Sequence, residues 1–320
     1  MDLGRMLAKC VREQWSIDDL DWSVGPPCLP REKEEAVVQA FLDMSGVELL
    51  AGALFDVQRA KTTDPTLHKI FSTFVVDEKR HSAVALRLAR HYDVHHYREY
   101  VESPTLTAFR PHFLKLVRET SPEIANAYIT SGELILDVAL LRSLDDYVAD
   151  DMSHRAMHLI NRDESRHIAI DFHMTEHYAS DAYLDEIRMR PRPSIREMVR
   201  MTRVVATMMW HAKPFLQDVF LKPMDRTDPT GRRVQEAFKR IQLLLRKPTV
   251  ARSPFSKMMI KLQEAYNHPF IGKVLGRFIL RALGADPRAA RILFTQEELA
   301  RAQQMSFEEL AEDALAAKLS

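Results

Sequence analysis

Residues 77–81 read Asp-Glu-Lys-Arg-His, and residues 163–167 read Asp-Glu-Ser-Arg-His. In both, Glu and His stand three apart, so on a helix Glu78 shares a face with His81 and Glu164 with His167. Upstream of each lies a single acid in an apolar run. Glu48 follows Ser45-Gly46-Val47, and Glu133 follows Ser131-Gly132. Glu48 precedes Glu78 by 30 residues and Glu133 precedes Glu164 by 31, with the halves offset by 85 or 86. A long helix, a turn and a return helix would bring each lone Glu beside its Glu-x-x-His partner. Two copies make a duplicated helix hairpin, not a solenoid.

Working outward, helix-period patterns dominate and only nine glycines interrupt 320 residues. The expected long helices are 31–62, 65–92, 121–148 and 151–180, with a shorter one near 105–119 as a bridge. Pro-Pro at 26–27, Thr-Asp-Pro at 63–65, Ser-Pro at 121–122 and Ser180-Asp181 mark their ends. Beyond Pro191 and Pro193 the pattern predicts helices near 194–222, 229–246, 254–266, 270–283 and 295–318. No stretch reads as a strand. The expected fold is all-α: an N-terminal extension (1–30), a four-helix core (31–190) and a helical C-terminal portion packing on it (191–320).

Bulk properties narrow the function. No stretch approaches about 20 uninterrupted apolar residues, so no transmembrane segment is expected. The first residues carry scattered charges and no apolar leader pattern, which makes a cytoplasmic location the default expectation. Two cysteines, Cys10 and Cys28, are too few for a disulfide framework and are expected to be reduced. Net charge is zero but unevenly spread: −12 over residues 1–187, +16 over 188–293 and −4 over 294–320. Arg188, Arg190, Arg192, Arg196, Arg200 and Arg203 crowd one region, and Lys257, Lys261, Lys273, Arg277 and Arg281 another. Such a segment either docks an anionic partner or forms a solvated face beside the acidic half.

The chemistry follows from the cost of burial. Glu48 and Glu133 sit among leucines, isoleucine and valine, where a carboxylate is costly unless paired, protonated or bound to a cation. Four carboxylates at one depth repel, and two divalent metals supply the missing charge. Oxygen and imidazole donors suit iron or manganese, and the absence of thiolates argues against structural zinc. The predicted ligands are Glu48, Glu78, His81, Glu133, Glu164 and His167. Asp137, four after Glu133, and Asp171, seven after Glu164, are expected to face the same interior as supporting acids, proton donors or an extra ligand. Phe41, Phe55, Phe71 and Phe74, with Ala51, Gly52 and Ala85, form an apolar stripe that reads as core packing or as a substrate pocket. His154/His158 and His173/His177 are assigned to no metal.

A lone Glu from each of two helices plus Glu-x-x-His from two others resembles the ferritin-like di-iron carboxylate superfamily over about residues 31–180. The paired Asp-Glu-x-Arg-His form looks closest to its O2-activating branch of multicomponent monooxygenases, acyl-carrier desaturases and aromatic-amine N-oxygenases. That resemblance implies a ferritin-like four-helix bundle with two Fe ions (or Mn/Fe) and O2 as co-substrate. It also implies that Asp77 supports His167 and Asp163 supports His81, with Arg80 and Arg166 pairing the aspartates crosswise. Two positions depart from relatives. Ala85 stands where ribonucleotide reductase small subunits carry a radical tyrosine, and Ile160 where N-oxygenases carry an extra histidine.

The expected activity is an O2-dependent oxygenase or oxidase acting on an organic substrate by hydroxylation, desaturation, cleavage or N-oxidation. A non-catalytic iron-binding or ferroxidase protein, or a radical protein, are the alternatives. No Gly-rich nucleotide motif or cysteine cluster is visible, so electrons come from an external donor or the substrate. An acidic carrier protein, a carrier- or CoA-linked substrate or an acidic reductase would fit the basic 188–293 segment. A homodimer is the expected assembly, and nucleic acid is not an expected partner.

Overall fold

The computed structural model describes residues 1–191, 193–270, 272 and 287–317. Among them no strand occurs, and the fold is all-α. Four long helical runs organise it. The helix α1 (Leu3–Arg12) precedes α2 (Arg31–Lys61) and α3 (Pro65–Tyr92), and α4 (Pro104–Glu119) leads to the second pair. That pair is α5 (Pro122–Ile135), continued through a wide turn at Leu136–Leu141 into α6 (Arg142–Val148), and α7 (Asp151–Ala179). α2 packs on α3, α5 on α7, α2 on α5 and α3 on α7, which closes a cycle of four helices around one interior.

Local chemistry sets the joints. Asp64 accepts from the backbone N–H groups of Thr66 (2.7 Å) and Leu67 (2.9 Å), and Pro65 occupies the first helical turn of α3, where no N–H is needed. Glu32 and Glu34 open α2 and Arg59 and Lys61 close it, matching the helix dipole. Ala149 adopts the left-handed conformation (φ 55°) that ends α6 before Asp150. Windows within Arg31–Lys61 and Pro122–Val148 reach the length and hydropathy of a membrane span, and 67% of each window is buried in the fold.

The later helices are α8 (Asp181–Met189), α9 (Ile195–Phe215), a second wide turn (Leu216–Leu221), α10 (Lys222–Thr227), α11 (Arg232–Leu245) and α12 (Pro254–Asn267). They are followed by α13 (Pro287–Ala290), α14 (Gln296–Gln304) and α15 (Phe307–Ala316). α9 packs on α4, α11 on α5, and α15 on α7. Several expectations need correction. The 1–30 extension contains a helix whose Cys10 joins the core. The 121–148 helix is interrupted by a π-type turn. The 194–222 run reaches Thr227 and is broken by a wide turn just after Pro214, which has no N–H to donate. The single 295–318 helix is two, because Ser306 caps a new start through Glu309. The expected helix 270–283 and the cations Arg192, Lys273, Arg277 and Arg281 lie outside the described residues. Cys10 is buried and Cys28 exposed, both as free thiols.

Candidate metal centre

The structure brings all six predicted ligands together. One donor atom each from Glu48, Glu78, His81 and Glu164 falls within 4.8 Å of the other three, and the same holds for Glu78, Glu133, Glu164 and His167. Glu78 and Glu164 belong to both groups. All six side chains are buried, none more than 2% exposed. Two overlapping groups of buried Glu and His donors can thus hold metal ions.

The helix pairs explain the convergence. Glu48 and Glu133 each face the return helix of their own hairpin, and Gly52 lets α2 approach α3 at that level. A Cβ on Gly52 would lie 3.1 Å from the Cβ of Glu78. Phe55 and Phe74 set their rings 4.9 and 4.2 Å from that of His167, and with Phe71 they wall one side of the centre. The two imidazole centroids are 6.0 Å apart.

Both histidines turn Nδ1 toward the carboxylates. His167 Nδ1 lies 2.8 Å from Glu164 and 3.1 Å from Glu78, and His81 Nδ1 lies 3.0 Å from Glu164. The His81–Glu164 approach is not a hydrogen bond, and Glu48 and Glu78 have no hydrogen-bond partner for any carboxylate oxygen. Glu133 Oε2 and Glu164 Oε1 are likewise buried without one. Apart from the 2.8 Å hydrogen bond between His167 Nδ1 and Glu164 Oε2, these donor atoms crowd within contact range without bonding to each other, and they aim at a common point between them. Oxygen and nitrogen ligands about 2.1 Å from a shared cation stand at most about 4.2 Å apart, close to the spread seen here. Four carboxylates against two divalent ions also balance in charge. The residues present fit the pair of metals.

Without cations, protons must carry that balance. Burial drives the carboxyls of Glu48 and Glu133 well above the usual range, and neighbouring carboxylates push the same way. Burial alone would lower His81 and His167, but it is outweighed by their acidic neighbours, Asp163 and Glu164 for His81 and Glu164 and Asp77 for His167, so both are raised well above the ordinary histidine value. Glu164 goes the other way: burial opposes, but His167 and His81 hold it well below the usual range.

Behind the histidines stands a buried ion network. His81 Nε2 meets Asp163 Oδ2 at 3.1 Å, whereas His167 Nε2 stays 3.6 Å from Asp77 Oδ2. A carboxylate only accepts, so Nε2–H of His81 donates, and Nδ1 faces the centre, where it can offer a lone pair to a cation once its own proton has left. Arg166, fully buried, bridges Asp163 (2.7 Å) and Asp77 (3.3 Å). Arg80 donates to Asp77 and sits 3.8 Å from Asp163. Each arginine therefore touches both aspartates but bonds most closely to the one in its own pentapeptide, which corrects the purely crosswise expectation. Although burial opposes it, His81, Arg166 and Trp15 hold the Asp163 carboxyl down to about 2.

The sequence reading missed the N-terminal segment. Trp15 Nε1 donates to Asp163 Oδ2 at 2.6 Å, Gln14 donates to Asp77 at 3.0 Å, and Glu13 pairs with Arg166 at 3.1 Å. The usable signal was Asp2 followed by Leu3, Met6, Leu7 and Cys10, a capped amphipathic helix that turns Cys10 inward.

The two candidate acids differ. Asp171 is buried with both oxygens free of hydrogen bonds. Burial raises it well above the usual range; His167 draws it down, while Glu164 and Glu78 add to the rise. Asp137 is buried on the wide turn and belongs to neither donor group. His154 pairs with Asp145 at 3.0 Å and His158 and His177 are exposed, so neither histidine pair joins the centre. Ala85 and Ile160 are fully buried apolar residues.

A cavity of about 530 Å³ opens beside α5 and α7. It is lined by Asn126, by Thr130 and Leu134, within a turn of Glu133, and by Thr175, one turn after Asp171, together with Arg188, Arg252 and Lys257. Compared with known proteins, the chain matches no family model, no curated protein and no solved structure.

Proposed function

We propose that the chain is a di-iron carboxylate protein of the ferritin-like kind, an oxygenase or oxidase that uses O2 on an organic substrate. The observation that carries this reading is the sharing of Glu78 and Glu164 between two groups of donor atoms. Glu48 and His81 complete one group, and Glu133 and His167 the other. Iron bound there supplies the redox chemistry with O2; mixed manganese–iron occupancy fits the same donors.

The side chains supply the rest. Asp163, fixed by Trp15 and Arg166, orients His81 with its Nδ1 inward. Phe55, Phe71 and Phe74 exclude water on the His167 side. Burial raises the Asp171 carboxyl well above its usual range within electrostatic reach of Glu164 and His167, which favours its protonated form and suits it to pass a proton to the centre. The 530 Å³ cavity is the substrate chamber in this reading, apolar enough for an organic group and lined in part by three cations. The basic lining suits a carrier-linked or otherwise anionic substrate. Electrons come from a separate donor or from the substrate.

The test is anaerobic loading with Fe(II) followed by O2 in the presence of a reductant and candidate substrates. Oxygen uptake well beyond the iron supplied, with oxidised organic product, is expected. Uptake that stops at the iron supplied would reassign the chain to ferroxidase or storage chemistry.

A further inference from the structure

α9 carries more apolar surface than α4 covers. Val204, Met208, Ala212 and Phe215 are buried, and Phe215 stacks on Phe109 of α4 at 4.2 Å. Ile195, Val199 and Trp210 stay 82%, 64% and 80% exposed. At about 100° per residue these three and Ala206 fall on one ridge turned away from α4, and Arg196, Arg200 and Arg203 fall on the adjoining stripe. On one flank of the ridge lies a groove of about 1240 Å³ between α9 and α5, walled by Met198, Val205, Met209, Ile124 and Tyr128. On the other flank lies a basic pocket of about 380 Å³ between α4 and α9, lined by His112, Lys115, Arg200 and Arg203. Arg200 pairs with Glu119 at 3.3 Å; among the described residues Lys115, Arg196 and Arg203 have no acidic partner.

We propose that this face docks on an anionic phospholipid surface. The ridge enters the boundary between headgroups and acyl chains, where a tryptophan is at home, and lipid phosphates meet Lys115, Arg196 and Arg203. Charge complementarity selects this occupant. A two-fold dimer through the same face would set the same unpaired arginines of two copies against each other. None of the six metal-facing residues lies on α9, so the proposal stands apart from the metal reading.

The test is flotation of the full-length chain with vesicles of phosphatidylcholine alone or mixed with phosphatidylglycerol. Binding to the mixed vesicles only is expected, falling steeply with salt and with a blue shift of tryptophan emission that Trp210→Phe abolishes. Arg196→Glu with Arg203→Glu should weaken partitioning by at least roughly fivefold per cation, while far-UV circular dichroism stays unchanged. Ile195→Asp, at an exposed position, should weaken it as well. No flotation, equal binding to neutral vesicles, or binding indifferent to these substitutions overturns the proposal. So does a self-associated state that Trp210→Asp breaks, or capture of an acidic helical peptide in place of vesicles.

Discussion

Trp15 and Asp163 are 148 residues apart in sequence, yet the indole N–H of one meets the carboxylate of the other at 2.6 Å. The same Asp163 oxygen receives His81. The N-terminal segment is therefore part of the support of the buried Glu/His cluster. Trp15→Phe keeps an aromatic ring but removes the indole N–H and its bond, and metal affinity should fall roughly tenfold to a hundredfold, as when partners behind metal-bound histidines are lost. Isothermal titration of the variant with a divalent ion checks this; unchanged affinity would show that the bond does not position His81.

Of the two arginines of the network, Arg166 has no exposed side-chain surface, and it faces Asp77, Asp163 and Glu13. Arg166→Met leaves two buried carboxylates short of a counter-charge, so the chain should lose about 3–5 kcal/mol of stability. Urea unfolding reads this directly, and a loss under about 1 kcal/mol would mean that Arg80 alone compensates.

Gly52 gives α2 and α3 their spacing at Glu78. Gly52→Val should displace Glu78 and impair both metal positions at once, because that carboxylate belongs to both groups. Metal content after loading should drop for the pair rather than for one ion. Full loading would show that the helices yield without moving the ligand.

The helix hairpins and the convergence of the six buried Glu and His side chains were legible in the sequence because each depends on local rules. Asp64-Pro65 and Ser121-Pro122 announce helix starts, and the i,i+3 spacing of Glu78/His81 and Glu164/His167 is itself a face. Trp15, Gln14 and Glu13 were not legible, since their partners come from distant helices and no periodicity encodes such a pairing. The wide turn at Leu136–Leu141, which carries Asp137, was equally hidden. The break at Ser306 was readable from the Ser306/Glu309 capping box.

Proton and metal compete for the centre. Glu48 and Glu133 are raised above their ordinary 4.5, and His81 and His167 above 6.5, so the metal-free fold binds more protons than the unfolded chain. Raised groups stabilise the fold fully below their unfolded values and lose that contribution as pH climbs through their folded ones. Metal-free protein should therefore become less stable from about pH 5 upward, while metal affinity rises because fewer protons must leave. Glu164 and Asp163, held low, act oppositely and only in acid. Thermal melts of metal-free and loaded protein across pH decide this; parallel curves would contradict it.

The most direct test is the number of ferrous ions bound per chain under anaerobic conditions, measured by elemental analysis after desalting. Two ions are predicted for the native chain, and at most one weakly held ion for the chain carrying both Glu78→Gln and Glu164→Gln. One ion or none in the native chain, or two retained in that variant, would contradict the shared-carboxylate centre.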